Sequence, residues 1–155
     1  MSYTLQAMVG SSTTIVALGE DGATRVELSG GLAMIPLTGE LRNRFGISSL
    51  PLTDDEAEPI LPDSLSSLCL KFSQHGLVAY LEAEIFGGVG LQAYVLFRDG
   101  AMLGAPVRAV DAINQALRHL GVRSGSNRDE FDAVGLGRHR DTDEWASDAV
   151  SRAVS

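Results

Sequence analysis

The sequence predicts an α+β domain, a single antiparallel sheet with helices packed mainly on one face. Three observations carry that expectation. Val78–Phe97 holds two strand-like runs around a glycine cluster, the pattern of a β-hairpin. Ile113, Ala116, Leu117 and Leu120 fall at i, i+3, i+4 and i+7, the stripe of an amphipathic helix. A chain of 155 residues, 45% of them hydrophobic and 21% charged, can bury one sizeable core but is short for two, so residues 1–155 are expected to form one domain.

Tyr3–Val9 reads as the first strand. Thr13–Leu18 is β-branched and fits either a second strand or a short helix capped by Ser11 or Ser12. Thr24–Leu28 and Leu32–Leu37 flank Ser29-Gly30-Gly31 as a hairpin, and Pro36 marks an edge or a strand end. Thr38 is placed to cap a short helix through LRNRF that Gly46 stops. Residues 47–63, with three prolines and an acidic cluster, are expected to run over the surface. Asp63 can cap a helix over Ser64–Gln74 with Leu65, Leu68 and Phe72 inward and Cys69 buried beside them as an inert thiol. After the central hairpin, Arg98-Asp99-Gly100 turns into Ala101–Val107, where Pro106 argues for an edge strand. Asp111 starts the clearest helix and Gly121 closes it; this helix and Ser64–Gln74 are expected on the same sheet face. A helical turn at Phe131–Leu136 and a terminal helix from Thr142 to Val154, anchored by Trp145, complete the reading.

Twenty acidic residues against twelve basic ones leave a net charge of −8, which disfavours nucleic acid and anionic lipid and favours a basic partner. Seven acids fall in 129–155 and five in 51–75. One cysteine permits no internal disulfide and no Cys-rich metal site, so a reducing cytoplasmic location is expected. No apolar run approaches the ~20 residues of a membrane span.

The chemistry-bearing residues are few. On the hairpin, Val78, Tyr80, Glu82 and Glu84 point one way and Ala79, Leu81, Ala83 and Ile85 the other, so one face reads as core and the other as acid. Glu82 and Glu84 would stand about 6.5–7 Å apart along the strand, a spacing open to cation binding, paired-carboxylate catalysis or plain surface charge. The glycines at 87, 88 and 90 lead into the strand-like QAYVLF, not a helix, and so shape a turn rather than cradle phosphate. His139 sits between two arginines that oppose a metal ion, and no nucleophile elbow surrounds any serine. No cofactor and no metal are expected.

YLEAEIFGGVGLQAYVLF, with AINQALRHLGV and DEFDAVGLGRHRDTDEW after it, resembles small bacterial proteins with a Tyr-x-Glu-x-x-(Phe/Tyr)-Phe-Gly-Gly-x-Gly-x-Gln hairpin and, through them, immunity proteins of bacterial toxin systems. The resemblance spans about residues 78–145, with Ile85 in place of an aromatic residue. It implies a non-catalytic module that occludes a toxin. The expected binding residues are Tyr80, Glu82, Glu84, Phe86, Gln92 and Tyr94 on the hairpin with Asp54, Asp55 and Glu56 on the acidic loop, facing a basic protein. The alternative is a small hydrolase or metal-dependent enzyme using Glu82, Glu84 and His139. A third reading is a homodimer paired through edge strands near Pro36 or Pro106.

Overall fold

The computed structural model describes residues 2–15, 24–53, 60–86, 89–125 and 129–147. Six strands form one antiparallel sheet in the order β2-β3-β1-β4-β5-β6. They are β1 (Ser2–Ser11), β2 (Val26–Glu27), β3 (Leu32–Pro36), β4 (Val78–Phe86), β5 (Val89–Arg98) and β6 (Ala101–Ala109). The α+β class and antiparallel sheet are those expected. β1 is central: it pairs with β3 from Ala7↔Pro36 to Ser11↔Leu32 and with β4 along its length, from Ser2↔Phe86 to Gly10↔Val78. Residues 5–10 are buried without a break, as a strand covered on both faces must be.

Local signals place several helices. α1 (Gly39–Phe45) starts where the Thr38 hydroxyl accepts the Leu41 N–H at 3.2 Å, and Gly46 ends it in the left-handed region at φ 66°. α2 (Asp63–Phe72) takes Pro62 at its cap position, so Asp63 lies one residue inside the helix instead of capping it. α3 (Ala112–His119) and α4 (Glu130–Val134) follow, and residues 142–147 are helical too. The rest of the expected terminal helix lies outside the described residues. The strand or helix expected at Thr13–Leu18 is, through Thr14, a turn; residues 16–18 lie outside the described residues.

The placement of α2 and α3 on one face is corrected by the packing. Val78, Tyr80, Val95 and Phe97 meet Leu65, Leu68 and Phe72 of α2 together with Leu41 of α1. From the opposite face, Leu5, Leu81 and Tyr94 meet Ile113 and Leu117 of α3, Val134 of α4 and Trp145. Both faces of β1 and β4 are largely buried, and one helical layer would leave one of them in water. The expected surface excursion at 47–63 is also corrected in part. Ser48, Ser49 and Ile60 are exposed, but Ile47, Leu52 and Thr53 are buried against the α2 side.

β6 is an outer strand, as Pro106 suggested. Its pairing with β5 is interrupted between Tyr94 and Leu96, where Gly104, Ala105 and Pro106 stand opposite Val95, and Met102 and Leu103 are exposed. Among the described residues no helix is long and apolar enough to cross a membrane.

Candidate functional site

Two polar clusters flank the same strand pair. On the α2 side, Glu82 is fully enclosed. Its Oε1 accepts the Leu52 N–H at 2.9 Å, the Thr53 N–H at 2.9 Å and the Thr53 hydroxyl at 3.1 Å. Its Oε2 accepts the Tyr80 hydroxyl at 2.5 Å and shares the Leu52 N–H at 3.0 Å. Tyr80 in turn accepts from Gln6 Nε2 at 3.0 Å, and Gln6 also binds the Ser48 carbonyl and the Leu50 N–H. Burial pushes the Glu82 carboxyl above its ordinary range against the pull of these donors. Burial, with Glu82 beside it, drives the Tyr80 hydroxyl well above its usual value. The cluster therefore fastens residues 48–53 onto the sheet.

This arrangement corrects the acidic face. Tyr80 and Glu82 present nothing to a partner, because a loop covers the side of β4 that carries acid and supplies the carboxylate with backbone donors. Glu84 is half-buried on that same side, and Phe86 is exposed at the strand end. Gln92 and Tyr94 lie on the opposite face against α3. Asp54, Asp55 and Glu56 lie outside the described residues. Nor does the structure join the three residues of the enzymatic alternative. The His139 ring packs edge-on against Trp145, at 4.7 Å between centroids, and Trp145 belongs to the core layer on the far side of the sheet from Glu82. Among the described residues no group of three or more His, Cys, Asp and Glu is arranged to hold a metal ion.

On the α3 side a cavity of about 400 Å³ opens between the start of β1, the β4–β5 hairpin, α3 and α4. Its floor is apolar, from Tyr3, Ile85, Ile113 and Phe131. Tyr3 and Phe131 pack edge to face at 5.3 Å, and the Tyr3 hydroxyl is fixed by donating to the Leu136 carbonyl at 2.9 Å. Besides Ser2, the polar lining comes from four longer side chains, Gln92, Asn114, Asp129 and Arg140.

The side chains of Gln92, Asn114 and Asp129 are each held by a backbone N–H, and Arg140 is held only through its own main chain. Gln92 Oε1 accepts the Ile113 N–H at 3.0 Å, doing for α3 what Asp111 does not, since Asp111 accepts from Gln115 Nε2 instead. Asn114 bridges α3 and α4 by donating to Asp129 Oδ2 at 3.0 Å and accepting the Phe131 N–H at 2.9 Å. Asp129 also accepts the Asp132 N–H as the cap of α4; its slight burial raises its pKa, but the bonds from Asp132 and Asn114 outweigh that and lower it overall. The Arg140 carbonyl accepts the Thr4 N–H at 2.8 Å, pinning this segment to the edge of β1 that β3 leaves uncovered. Of the four, only Gln92 was singled out by sequence. Asp129 and Arg140 lie in the charged run 129–145, where Arg140 reads only as a charge opposing a metal at His139, Asn114 carries no signal beyond its helix, and no spacing joins positions brought together by tertiary packing alone.

A second group lies near the start of α1. The Gly39 N–H donates to Asp143 Oδ1 at 3.1 Å, joining the start of α1, where Glu40 follows, to Asp143; Asp141, Asp143 and Glu144 border one depression, all four acids are exposed, and Arg42 lines a second depression with Asp141 and Asp143. Comparison with protein-family models, with curated proteins and with solved structures returned no match to this chain.

Proposed function

We propose that this chain is a non-catalytic protein-binding module of the immunity-protein kind, acting in the cytoplasm on a basic partner by occlusion. The observation that carries the reading is the exposed acidic surface of Glu40, Asp141, Asp143 and Glu144, tied together by the Gly39–Asp143 bond on a chain of net charge −8. Such a surface accelerates encounter with a basic protein and rejects acidic ones. The burial of Glu82 and its separation from His139 weigh against the enzymatic alternative.

The test compares wild type with a Glu40→Lys/Asp141→Lys/Glu144→Lys variant, three exposed positions whose reversal leaves the Gly39–Asp143 bond in place. Both are used to capture partners from lysate, and any protein retained by wild type alone is purified and assayed with and without this chain. A basic protein inhibited at one-to-one stoichiometry, with association that slows as salt rises, supports the reading. Identical capture by both forms, or a captured partner whose activity is untouched, defeats it.

A further inference from the structure

We propose that the cavity beneath α3 is a binding site for a free α-amino acid with a large apolar side chain. The inference is independent of the partner reading, since it uses a different surface and a different class of ligand. It rests on which bonding groups at the cavity remain uncommitted. Among the described residues the Gln92 side chain bonds only through its carbonyl oxygen, to Ile113, and its two amide N–H groups have no partner there. The Arg140 side chain makes no hydrogen bond or ion pair with any described residue, although its backbone is fastened to Thr4. A guanidinium with no partner among the described residues, beside an apolar cavity, suits a carboxylate, which it binds through two parallel N–H donors.

Asp129 supplies the opposite pole. Its two oxygens each accept one bond, from Asp132 N–H and Asn114 Nδ2, and each retains a lone pair. Those bonds keep it ionised and hold it in place. An anion without a cationic group would meet Arg140 and be repelled by Asp129, and a simple amine would meet the reverse; a zwitterion satisfies both. The floor of Tyr3, Ile85, Ile113 and Phe131 then takes an apolar side chain, and a volume of about 400 Å³ suits a small ligand. Gln92, Asn114 and Asp129 are preorganised by their bonds to helix caps, which leaves the Arg140 side chain as the polar group a ligand would have to order.

The experiment titrates the full chain with phenylalanine, leucine and tryptophan, and with 3-phenylpropionate and phenethylamine as analogues lacking one charge each, by calorimetry and amide chemical shifts. Saturable binding of at least one amino acid is expected, with shifts centred on Gln92, Asn114 and Phe131, and binding of each single-charge analogue weaker by about tenfold or more. Arg140→Met should weaken the amino acid and 3-phenylpropionate but not phenethylamine. Asp129→Asn, which keeps a capping side chain for α4, should weaken the amino acid and phenethylamine only. Thermal melting of both variants checks that the fold is kept; Arg140 is exposed, and its replacement removes no side-chain hydrogen bond or ion pair to a described residue. No saturable binding by any of the three amino acids overturns the proposal, as does binding indifferent to both substitutions or shifts centred elsewhere.

Discussion

Glu82 and Gln92 sit almost opposite each other on the β4–β5 ladder, Glu82 paired with Ala93 and Gln92 with Ala83, yet they face opposite layers of the molecule. Glu82 is closed over by residues 52 and 53, and every donor around it is answered. Gln92 caps a helix with one end of its amide and leaves the other at an open cavity. The lesson lies in the remaining bonding capacity and not in the charge. A buried carboxylate is the more conspicuous group in sequence, but it has nothing left to offer a ligand, while the neutral amide does.

The largest effect should come from opening the closed side. Glu82→Ala leaves the Leu52 and Thr53 N–H groups and the Tyr80 and Thr53 hydroxyls without their acceptor. At about 1–3 kcal/mol for each buried group left unmade, partly relieved by water entering behind the loop, the loss should reach roughly 3–5 kcal/mol in urea unfolding. Glu82→Gln keeps the shape and one acceptor and should lose less. A loss from Glu82→Ala no greater than that from Gln92→Ala would erase the contrast between the two sides.

The pH dependence sharpens it further. Because burial raises the Glu82 carboxyl above 4.5, the folded chain holds this proton more tightly than the unfolded chain does. Its contribution to stability is thus complete below the unfolded value and lost as pH rises through the raised folded value. The stability of wild type relative to Glu82→Gln should therefore be greatest in acid and shrink toward neutrality. A difference flat from about pH 4 to 8 would mean that the donors around the carboxylate cancel the cost of burying it.

Gly90 offers a substitution that strikes both sides at once. A Cβ there would lie 2.1 Å from the Glu84 carbonyl oxygen and 2.6 Å from Ile85 Cα, backbone atoms that can yield only if the hairpin shifts. Gly90→Ala should cost about 2–3 kcal/mol, the usual price of overpacking, and amide exchange should quicken around both Leu52 and Ile113. Loss of protection on one side alone would show that the two layers open separately.

What could be read in advance follows the reach of each interaction. Thr38, Gly46 and the stripe from Ile113 to Leu120 act within a turn or two of their own positions, and their helices appear where the sequence put them. The hairpin and its alternation were equally local. The purpose of that alternation was not, because the donors to Glu82 come from backbone 29 and 30 residues away, and a backbone N–H leaves no mark in sequence. Ile47 and Leu52 carried a hint: apolar residues inside a segment rich in proline and acid needed cover, and the α2 side provides it. Asn114, Asp129 and Arg140 lie far apart along the chain and converge only through packing, which no local pattern encodes.

The smallest effects belong to the open side, where the Gln92 side chain carries one structural bond. Gln92→Ala removes the acceptor of the Ile113 N–H, and loss of a helix cap costs about 1 kcal/mol. The damage should stay at the start of α3: exchange at Ile113 quickens while the Leu52 and Thr53 amides, bound to Glu82 on the other face, keep their protection. Gln92→Glu separates the two functions of this side chain. A carboxylate still accepts from Ile113, and better at a helix N-terminus, so α3 should be held as well as in wild type or slightly better. The two amide N–H groups at the cavity are gone, however, replaced by a second negative charge near Asp129. Unchanged protection of α3 with altered binding at the cavity would assign the carbonyl of Gln92 to the fold and its amide nitrogen to the ligand.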